Sequence, residues 1–267
     1  MTKLFQRCHC ERSVAIAQSS NRSAFTLAEG ATHVGTCDNI RKNAFTLAEV
    51  LITLAIIGVV AAMTIPTLIT KYEEKAIITQ VTKLYSDLSN AYRLNIATGD
   101  GTLRTIEIIK NFRTMKICEK TYVGCADNKY TELNGSTTSW GKTDSFPVNY
   151  ALIQDGKIFR YIDGATDCSL SAGENLFYCG EFSVDVNGNK GPNVIGKDVF
   201  FFYITKKGVL PFGTRDETRM SFEKECAGGN LRGFGCTAWI IQNNNIDYLH
   251  CGENLSWDGA HSCKEAK

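Results

Sequence analysis

The sequence predicts an α+β fold in which a long N-terminal helix, first transmembrane and then amphipathic, packs on an antiparallel β-sheet head domain with disulfides. Three observations support this prediction. An apolar run covers residues 45–69 and contains one charged side chain, Glu49. An amphipathic pattern follows that run. Beyond Gly101 the chain changes to short strand-like runs, turn signals and eight cysteines.

The apolar run is long enough to cross a membrane. A helix over these 25 residues rises about 37 Å at ~1.5 Å per residue, and a hydrocarbon core is ~30 Å thick. Arg41 and Lys42 precede the run and are expected to keep the segment before it cytoplasmic. Glu49 is unusual because a carboxylate in lipid costs about 2.5 kcal/mol or more, so it needs a partner or marks a function.

The helix is expected to continue past the membrane as an amphipathic segment. Charged residues begin at Lys71, and apolar residues then recur at spacings of three and four, which predicts a stripe that packs on a sheet. Gly99-Asp100-Gly101 is expected to end the helix. The stripe consists of Ile77, Val81, Leu84, Tyr85, Leu88 and Tyr92.

Three hairpins are predicted in the head. Asp155-Gly156 separates two strand-like runs within 148–162, which is a strong hairpin signal. The aromatic and β-branched run 199–205 turns at 206–208 into Val209-Leu210. A third hairpin is predicted from 239–242 and 246–249, joined by three asparagines that tolerate left-handed backbone angles.

The charge of the chain gives no indication of nucleic-acid binding. The first 44 residues hold six of the 29 basic and three of the 28 acidic side chains, which leaves 23 basic and 25 acidic side chains and a formal charge of −2. No basic stripe interleaves with aromatic residues. The sequence therefore carries no nucleic-acid signal.

The cysteines predict disulfides. Of the 11 cysteines, Cys8, Cys10 and Cys37 precede the apolar run. The other eight cysteines follow the membrane segment, and their even number favours four disulfides in an oxidising compartment. Pairing between sequence neighbours is the simplest of many connectivities. Zinc is the alternative, with His250, Cys251, His261 and Cys263 as ligands, but their spacing does not match a zinc finger. The disulfide candidates are Cys118, Cys125, Cys168, Cys179, Cys226, Cys236, Cys251 and Cys263.

One loop is a candidate calcium site. Asp185, Asn187, Asn193 and Asp198 supply the hard oxygen ligands that calcium prefers. Lys190 lies within the loop, and Asn187-Gly188 is also an ordinary turn signal, so a metal-free turn is the favoured alternative. No other cofactor is predicted.

The residues around Glu49 indicate a family. The string from Ala44 to Leu54, AFTLAEVLITL, resembles the prepilin processing motif of type IV pilins and type II secretion pseudopilins. The residue before the cut is usually Gly in that family and is Ala44 here. A small residue still fits a peptidase pocket.

The resemblance implies a processing and assembly mechanism. A membrane peptidase would cut between Ala44 and Phe45, the new amino terminus would be methylated, and Glu49 would be the retained acid. Pro66 matches a proline that many pilins place in this helix, where it removes one backbone hydrogen bond. Phe45, Glu49 and Pro66 are the expected assembly residues.

The hexapeptide AFTLAE occurs at 24–29 and again at 44–49, and only the second copy continues into apolar residues. The second copy is therefore the expected processing site. Residues 1–44 are interpreted as a leader removed on processing, duplicated or wrongly started. The predicted divisions are this leader, an assembly helix over 45–70, an amphipathic helix over 71–99 and a disulfide-rich β head over 100–267.

The sequence thus predicts a structural subunit of a type IV pilus or type II secretion pseudopilus, in a bacterial inner membrane with its head in the periplasm. The expected partners are other filament subunits, prepilin peptidase, the inner-membrane assembly platform and lipid. The alternative is a minor pilin that acts as an adhesin or binds DNA or a surface. No catalytic motif is found, so an enzyme is not predicted.

Overall fold

The structure is a computed structural model that describes residues 46–99, 101–126, 129–138 and 148–267. The predicted leader, its copy of the hexapeptide, and Ala44 and Phe45 on either side of the predicted cut lie outside the described residues. The chain divides into two units within its first helix, between Ile52 and Thr53.

The described residues form helices and strands in an α+β order, as predicted. The helices are α1 (Leu47–Thr98), α2 (Thr105–Ile109), α3 (Thr237–Asn243) and α4 (Tyr248–Cys251). Short helical turns lie at Glu223–Ala227, Phe234–Cys236 and Gly252–Asn254. The strands are β1 (Thr114–Cys118), β2 (Asn149–Ile153), β3 (Ile158–Asp163), β4 (Leu170–Ser171), β5 (Phe177–Tyr178), β6 (Gly180–Asp185), β7 (Val199–Thr205) and β8 (Gly208–Pro211).

The main sheet is antiparallel, with the strand order β1-β2-β3-β6-β7-β8. The hairpins β2–β3 and β7–β8 are the first two that the sequence predicts. Gly156 adopts a φ of 89° in the turn between β2 and β3, a left-handed angle that glycine accepts without a steric penalty. Strands β4 and β5 form a separate small sheet.

The second half of α1 packs on one face of the main sheet. Val81, Leu84 and Leu88 of the predicted stripe are at most 1% exposed and share a core with Phe182 and Phe202. This burial is the main stabilisation of the helix on the sheet, because a buried Leu or Phe side chain contributes ~1.5–3 kcal/mol.

The end of α1 is fixed by hydrogen bonds. The Tyr92 hydroxyl donates to the carbonyl oxygens of Thr205 and Lys206, each at 3.1 Å, which ties the helix to the β7–β8 turn. The Asn95 side chain donates to the Thr102 carbonyl at 2.8 Å. The helix ends at Thr98, immediately before the predicted Gly99 stop.

The third predicted hairpin is wrong. Residues 237–243 form α3, and Asn244 has a φ of 53° as the residue that ends this helix. Trp239 of α3 is fully buried and stacks on Phe222 with ring centroids 4.0 Å apart. The tertiary contacts of Trp239 therefore override the strand propensity of a short aromatic and β-branched run.

Candidate functional site

The start of α1 is held by two residues that bond to each other. The Thr46 backbone N–H donates to Glu49 Oε2 at 2.9 Å, and the Thr46 hydroxyl donates to the same oxygen at 2.8 Å. In return, the Glu49 backbone N–H donates to Thr46 Oγ1 at 3.2 Å. This reciprocal arrangement is a capping box, which satisfies backbone donors that a helix start leaves unpaired.

The capping box leaves part of the Glu49 carboxylate open. Both bonds from Thr46 reach Oε2, whereas Oε1 accepts no hydrogen bond from a described residue. The carboxylate also lies at the positive end of the helix macrodipole, which favours its negative charge. An ammonium group placed at Oε1 would complete the coordination of this acid without breaking the cap.

The helix that follows Glu49 presents apolar side chains on its whole circumference. Leu51, Ile56, Val59 and Met63 are all more than half exposed, and α1 is long and apolar enough to cross a membrane. Pro66 lies inside α1, which continues beyond it to Thr98. An exposed apolar rod of this kind requires lipid or other apolar helices around it.

The same segment decides the family resemblance. Residues 39–65 match the family described as the prokaryotic N-terminal methylation motif. This chain carries the signature of type IV pilins and pseudopilins. The resemblance stated from the residues around Glu49 is therefore confirmed. No curated protein and no solved structure matches the chain.

The pilin signature supports a coarse assignment of the chain. It supports a pilin-like or pseudopilin subunit, implies processing by prepilin peptidase only as such proteins are processed in general, and fits a membrane anchor formed by α1. Proteins of this type are structural and not typically enzymes.

Thr46 is the functional residue that the sequence analysis missed. A Thr followed three residues later by Glu, at the start of an apolar helix, is the pattern of a capping box, so the signal was present in Thr46-Leu47-Ala48-Glu49. Glu49 thus starts its own helix, in addition to the pairing with a neighbour that the resemblance implies.

The cysteines of the head form four disulfides between sequence neighbours. Cys226 and Cys236 are fully buried beside Trp239, and the other pairs fasten the β1 loop, the β4–β5 segment and the C-terminal end. The pairs are Cys118–Cys125, Cys168–Cys179, Cys226–Cys236 and Cys251–Cys263.

These disulfides rule out the zinc alternative. Cys251 and Cys263 are bonded to each other, so neither is a thiolate ligand. His250 instead points to α1, where its Nε2 lies 2.7 Å from Glu74 Oε1. Among the described residues no group of three or more His, Cys, Asp or Glu side chains is arranged to hold a metal ion.

The candidate calcium residues lie together in the loop between β6 and β7. Asp185 and Asp198 are buried, and Asn187 links them: its backbone N–H donates to Asp185 Oδ1 at 3.2 Å and its side chain to Asp198 Oδ1 at 2.9 Å. The Tyr130 hydroxyl donates to Asp185 Oδ2 at 2.9 Å. Burial, together with the nearby Asp198 carboxylate, raises the pKa of Asp185 to about 7.

The oxygens of this loop are compatible with a calcium ion and with a metal-free turn. Asn187 Oδ1 is buried without a hydrogen-bond partner, and Asn193 is 3% exposed. In one orientation of its amide the Asn193 oxygen faces the carbonyl oxygens of Lys190 and Gly188, and in the other its nitrogen donates to them at 2.9 and 3.3 Å. In the first orientation oxygen atoms converge, which suits calcium. In the second the amide nitrogen is hydrogen-bonded, which suits the metal-free turn.

Proposed function

We propose that this chain is a structural subunit of a type IV pilus or type II secretion pseudopilus. Prepilin peptidase would cut it between Ala44 and Phe45, and the mature chain would enter the filament through α1. The observation that carries the proposal is the single carboxylate, Glu49, at the start of an otherwise apolar and exposed helix.

The proposed assembly step pairs Glu49 with a neighbour. Cutting exposes an ammonium group at Phe45, and the Glu49 Oε1 atom has no described partner of its own. Two opposite charges taken into an apolar bundle offset each other's desolvation only when they are close. The pair would therefore fix the stagger between a subunit already in the filament and the next subunit.

The proposed location follows from the same segment. The basic residues Arg41 and Lys42 favour a cytoplasmic leader, so the head would lie in the periplasm and α1 in the bacterial inner membrane. The four disulfides of the head support an oxidising compartment. The proposed partners are the peptidase, other subunits and the inner-membrane assembly platform.

Fractionation of the native cells tests this proposal. Filaments sheared from the surface, or pseudopili released with the periplasm, are separated from membranes and probed for the head. The chain is expected in the filament fraction of cells with active prepilin peptidase and only in the membranes of cells without it. Membrane retention in both strains would contradict the proposal.

The amount of protein in the filament separates the two kinds of subunit. A structural subunit is plentiful along the fibre, whereas a minor subunit with an adhesive head is rare. Quantitative immunogold labelling along single fibres is expected to show dense and continuous labelling for the structural role. Sparse labelling confined to tips would assign the chain to the minor class.

A further inference from the structure

The face of the main sheet opposite α1 carries a groove. Arg160 and Ile162 on β3, Glu181 on β6 and Phe201 on β7 all point to this face, because the register places Ile162 opposite Glu181, and both Arg160 and Phe201 opposite Ser183. Side chains at paired positions of neighbouring strands share one face of a sheet.

The groove consists of two cavities. The first, of about 210 Å³, is lined by Arg160, Arg219 and Arg232 and has Phe201, Phe212 and Phe234 in its wall. The second, of about 450 Å³, is mostly apolar and is lined by Leu170 and Tyr178. Ile162, Glu181 and Arg219 line both cavities, so the two are neighbours.

Arg219 is held rigidly at the boundary of the cavities. Its Nη1 donates to the Tyr178 hydroxyl and to Glu181 Oε1, each at 2.6 Å. Its guanidinium carbon lies 5.5 Å from the ring centroid of Tyr178 and 5.9 Å from that of Tyr203. The Nε and Nη2 atoms make no hydrogen bond with a described residue, so a fixed pair of donors remains for a ligand.

The first cavity favours an anion. Its charged lining is three arginines and Glu181, a formal charge of +2 in a chain whose expected mature form carries −2. Glu132 and Glu225 pair with Arg232 at 3.2 and 3.5 Å and offset its charge, so the preference for an anion rests mainly on Arg219, whereas the Arg232 guanidinium, 4.7 Å from the ring centroid of Phe234, forms part of the wall. Arginine forks combined with apolar walls bind planar carboxylates better than they bind neutral groups.

We propose that this groove binds an organic carboxylate that carries an apolar group. The carboxylate would bind the arginines of the first cavity, and the apolar group would lie along Leu170 and Tyr178 in the second. This activity belongs to the head and is independent of the assembly role of α1. A free small acid and the C-terminal end of a polypeptide both present this chemistry.

Methyl resonances of the mature full-length chain in lipid nanodiscs test the proposal without a mutation. Met220 lines the first cavity, whereas Met115 is 65% exposed on β1 and Met63 lies in the apolar part of α1. Titration with N-acetylphenylalanine is expected to shift the Met220 signal saturably and to leave Met63 and Met115 unchanged. No shift, equal shifts at all three methionines, or an equal effect of N-acetylphenylalanine amide would overturn the proposal.

Substitutions assign the effect to the arginine fork. Arg219→Gln is expected to weaken binding by roughly ten- to a hundredfold. The affinity of Arg219→Lys is expected to lie between those of Arg219→Gln and the parent, because lysine keeps the positive charge and loses the paired donors of the guanidinium group. Arg215→Gln is the matched control, since Arg215 pairs with the exposed Asp258 outside both cavities. Equal losses in Arg219→Gln and Arg215→Gln would contradict the assignment.

The source of the ligand is distinguished by a peptide that ends in phenylalanine with a free carboxylate. Tighter binding of this peptide than of N-acetylphenylalanine assigns the groove to a polypeptide end, and equal binding assigns it to a free small acid. Retained binding when the same peptide ends in an amide would contradict a carboxylate site altogether.

Discussion

Thr46 and Glu49 bind each other reciprocally at the first turn of α1, with two bonds from Thr46 to Glu49 Oε2 and one from the Glu49 N–H to Thr46 Oγ1. The acid that a filament would need is thus already hydrogen-bonded within its own chain. This lowers the cost of carrying a carboxylate into an apolar environment and leaves Oε1 for a second partner.

The two uses of Glu49 are separable by substitution. Glu49→Ala is expected to permit membrane insertion and cutting. It is expected to reduce the filament fraction by roughly tenfold or more, because the Phe45 ammonium of the neighbouring subunit would be buried without a partner, which costs ~3–5 kcal/mol. Thr46→Val removes the side-chain cap, which costs ~0.5–2 kcal/mol at a helix start, and keeps the carboxylate, so it is expected to assemble. Quantifying cut protein and filaments for both variants checks this.

Equal assembly defects in the two variants would show that the capping box alone explains Glu49. Normal assembly of Glu49→Ala would remove the proposed role of this residue in setting the stagger between subunits.

Docking of α1 on the sheet is expected to depend on Leu88. Leu88 is fully buried, whereas Leu94 on the same helix is 48% exposed. Leu88→Ala is expected to lower the free energy of unfolding of the head by about 2–5 kcal/mol, and Leu94→Ala by no more than ~0.5 kcal/mol. Denaturant unfolding of the full chain in detergent micelles, followed by tryptophan fluorescence, measures both. Similar values for the two variants would contradict the packing described.

Glu217 is expected to make the head less stable as the pH rises. It is 2% exposed, accepts bonds from the Tyr203 hydroxyl and the Gly213 N–H, and burial raises its pKa from 4.5 to about 7. Because the folded pKa exceeds the unfolded one, the contribution is complete below pH 4.5 and is lost as the pH rises through about 7. Each unit of difference between the folded and unfolded pKa corresponds to about 1.4 kcal/mol in the free energy of unfolding.

Unfolding free energies at pH 5 and pH 8, measured in the presence of a calcium chelator, test this dependence. The parent is expected to be less stable at pH 8, and Glu217→Gln is expected to reduce the difference without abolishing it, because burial also raises the pKa of Asp185 to about 7. A variant with the slope of the parent would show that Glu217 does not titrate in this range.

A calcium titration tests the loop between β6 and β7, for which the sequence favours a metal-free turn over a calcium site. A calcium site predicts that calcium on the order of 1 mM raises the unfolding temperature at pH 8, above the pKa of about 7 of Asp185, and that Asp185→Asn abolishes the effect. Magnesium at the same concentration is the control, because it requires a smaller octahedral site. An unfolding temperature that does not respond to calcium would assign the loop to the metal-free turn.

The sequence predicts the parts of the fold whose patterns are local. The stripe from Ile77 to Tyr92 has a helical period, and Asp155-Gly156 marks a turn whose conformation is set by those two residues. The run 239–242 fits a strand or a helix equally well because it has only three consecutive apolar residues, and its helix is decided by the distant Phe222 and Trp257.

The groove on the sheet face opposite α1 was not predictable either, because it also depends on contacts between residues that are distant in sequence. Arg160 lies 59 positions before Arg219, and it meets Arg219 and Arg232 only through the strand order β3-β6-β7 and the loops after β8. Glu49, in contrast, was identified from its neighbours in sequence, since both the apolar run and the processing motif are continuous.

The mass of the mature chain in native filaments tests the central claim most directly. Intact-protein and N-terminal peptide mass spectrometry is expected to show a chain that begins at Phe45 and carries one additional methyl group. A polypeptide in those filaments that still begins upstream of Ala44 would contradict processing at this site and, with it, the pairing of Glu49 with a newly exposed amine.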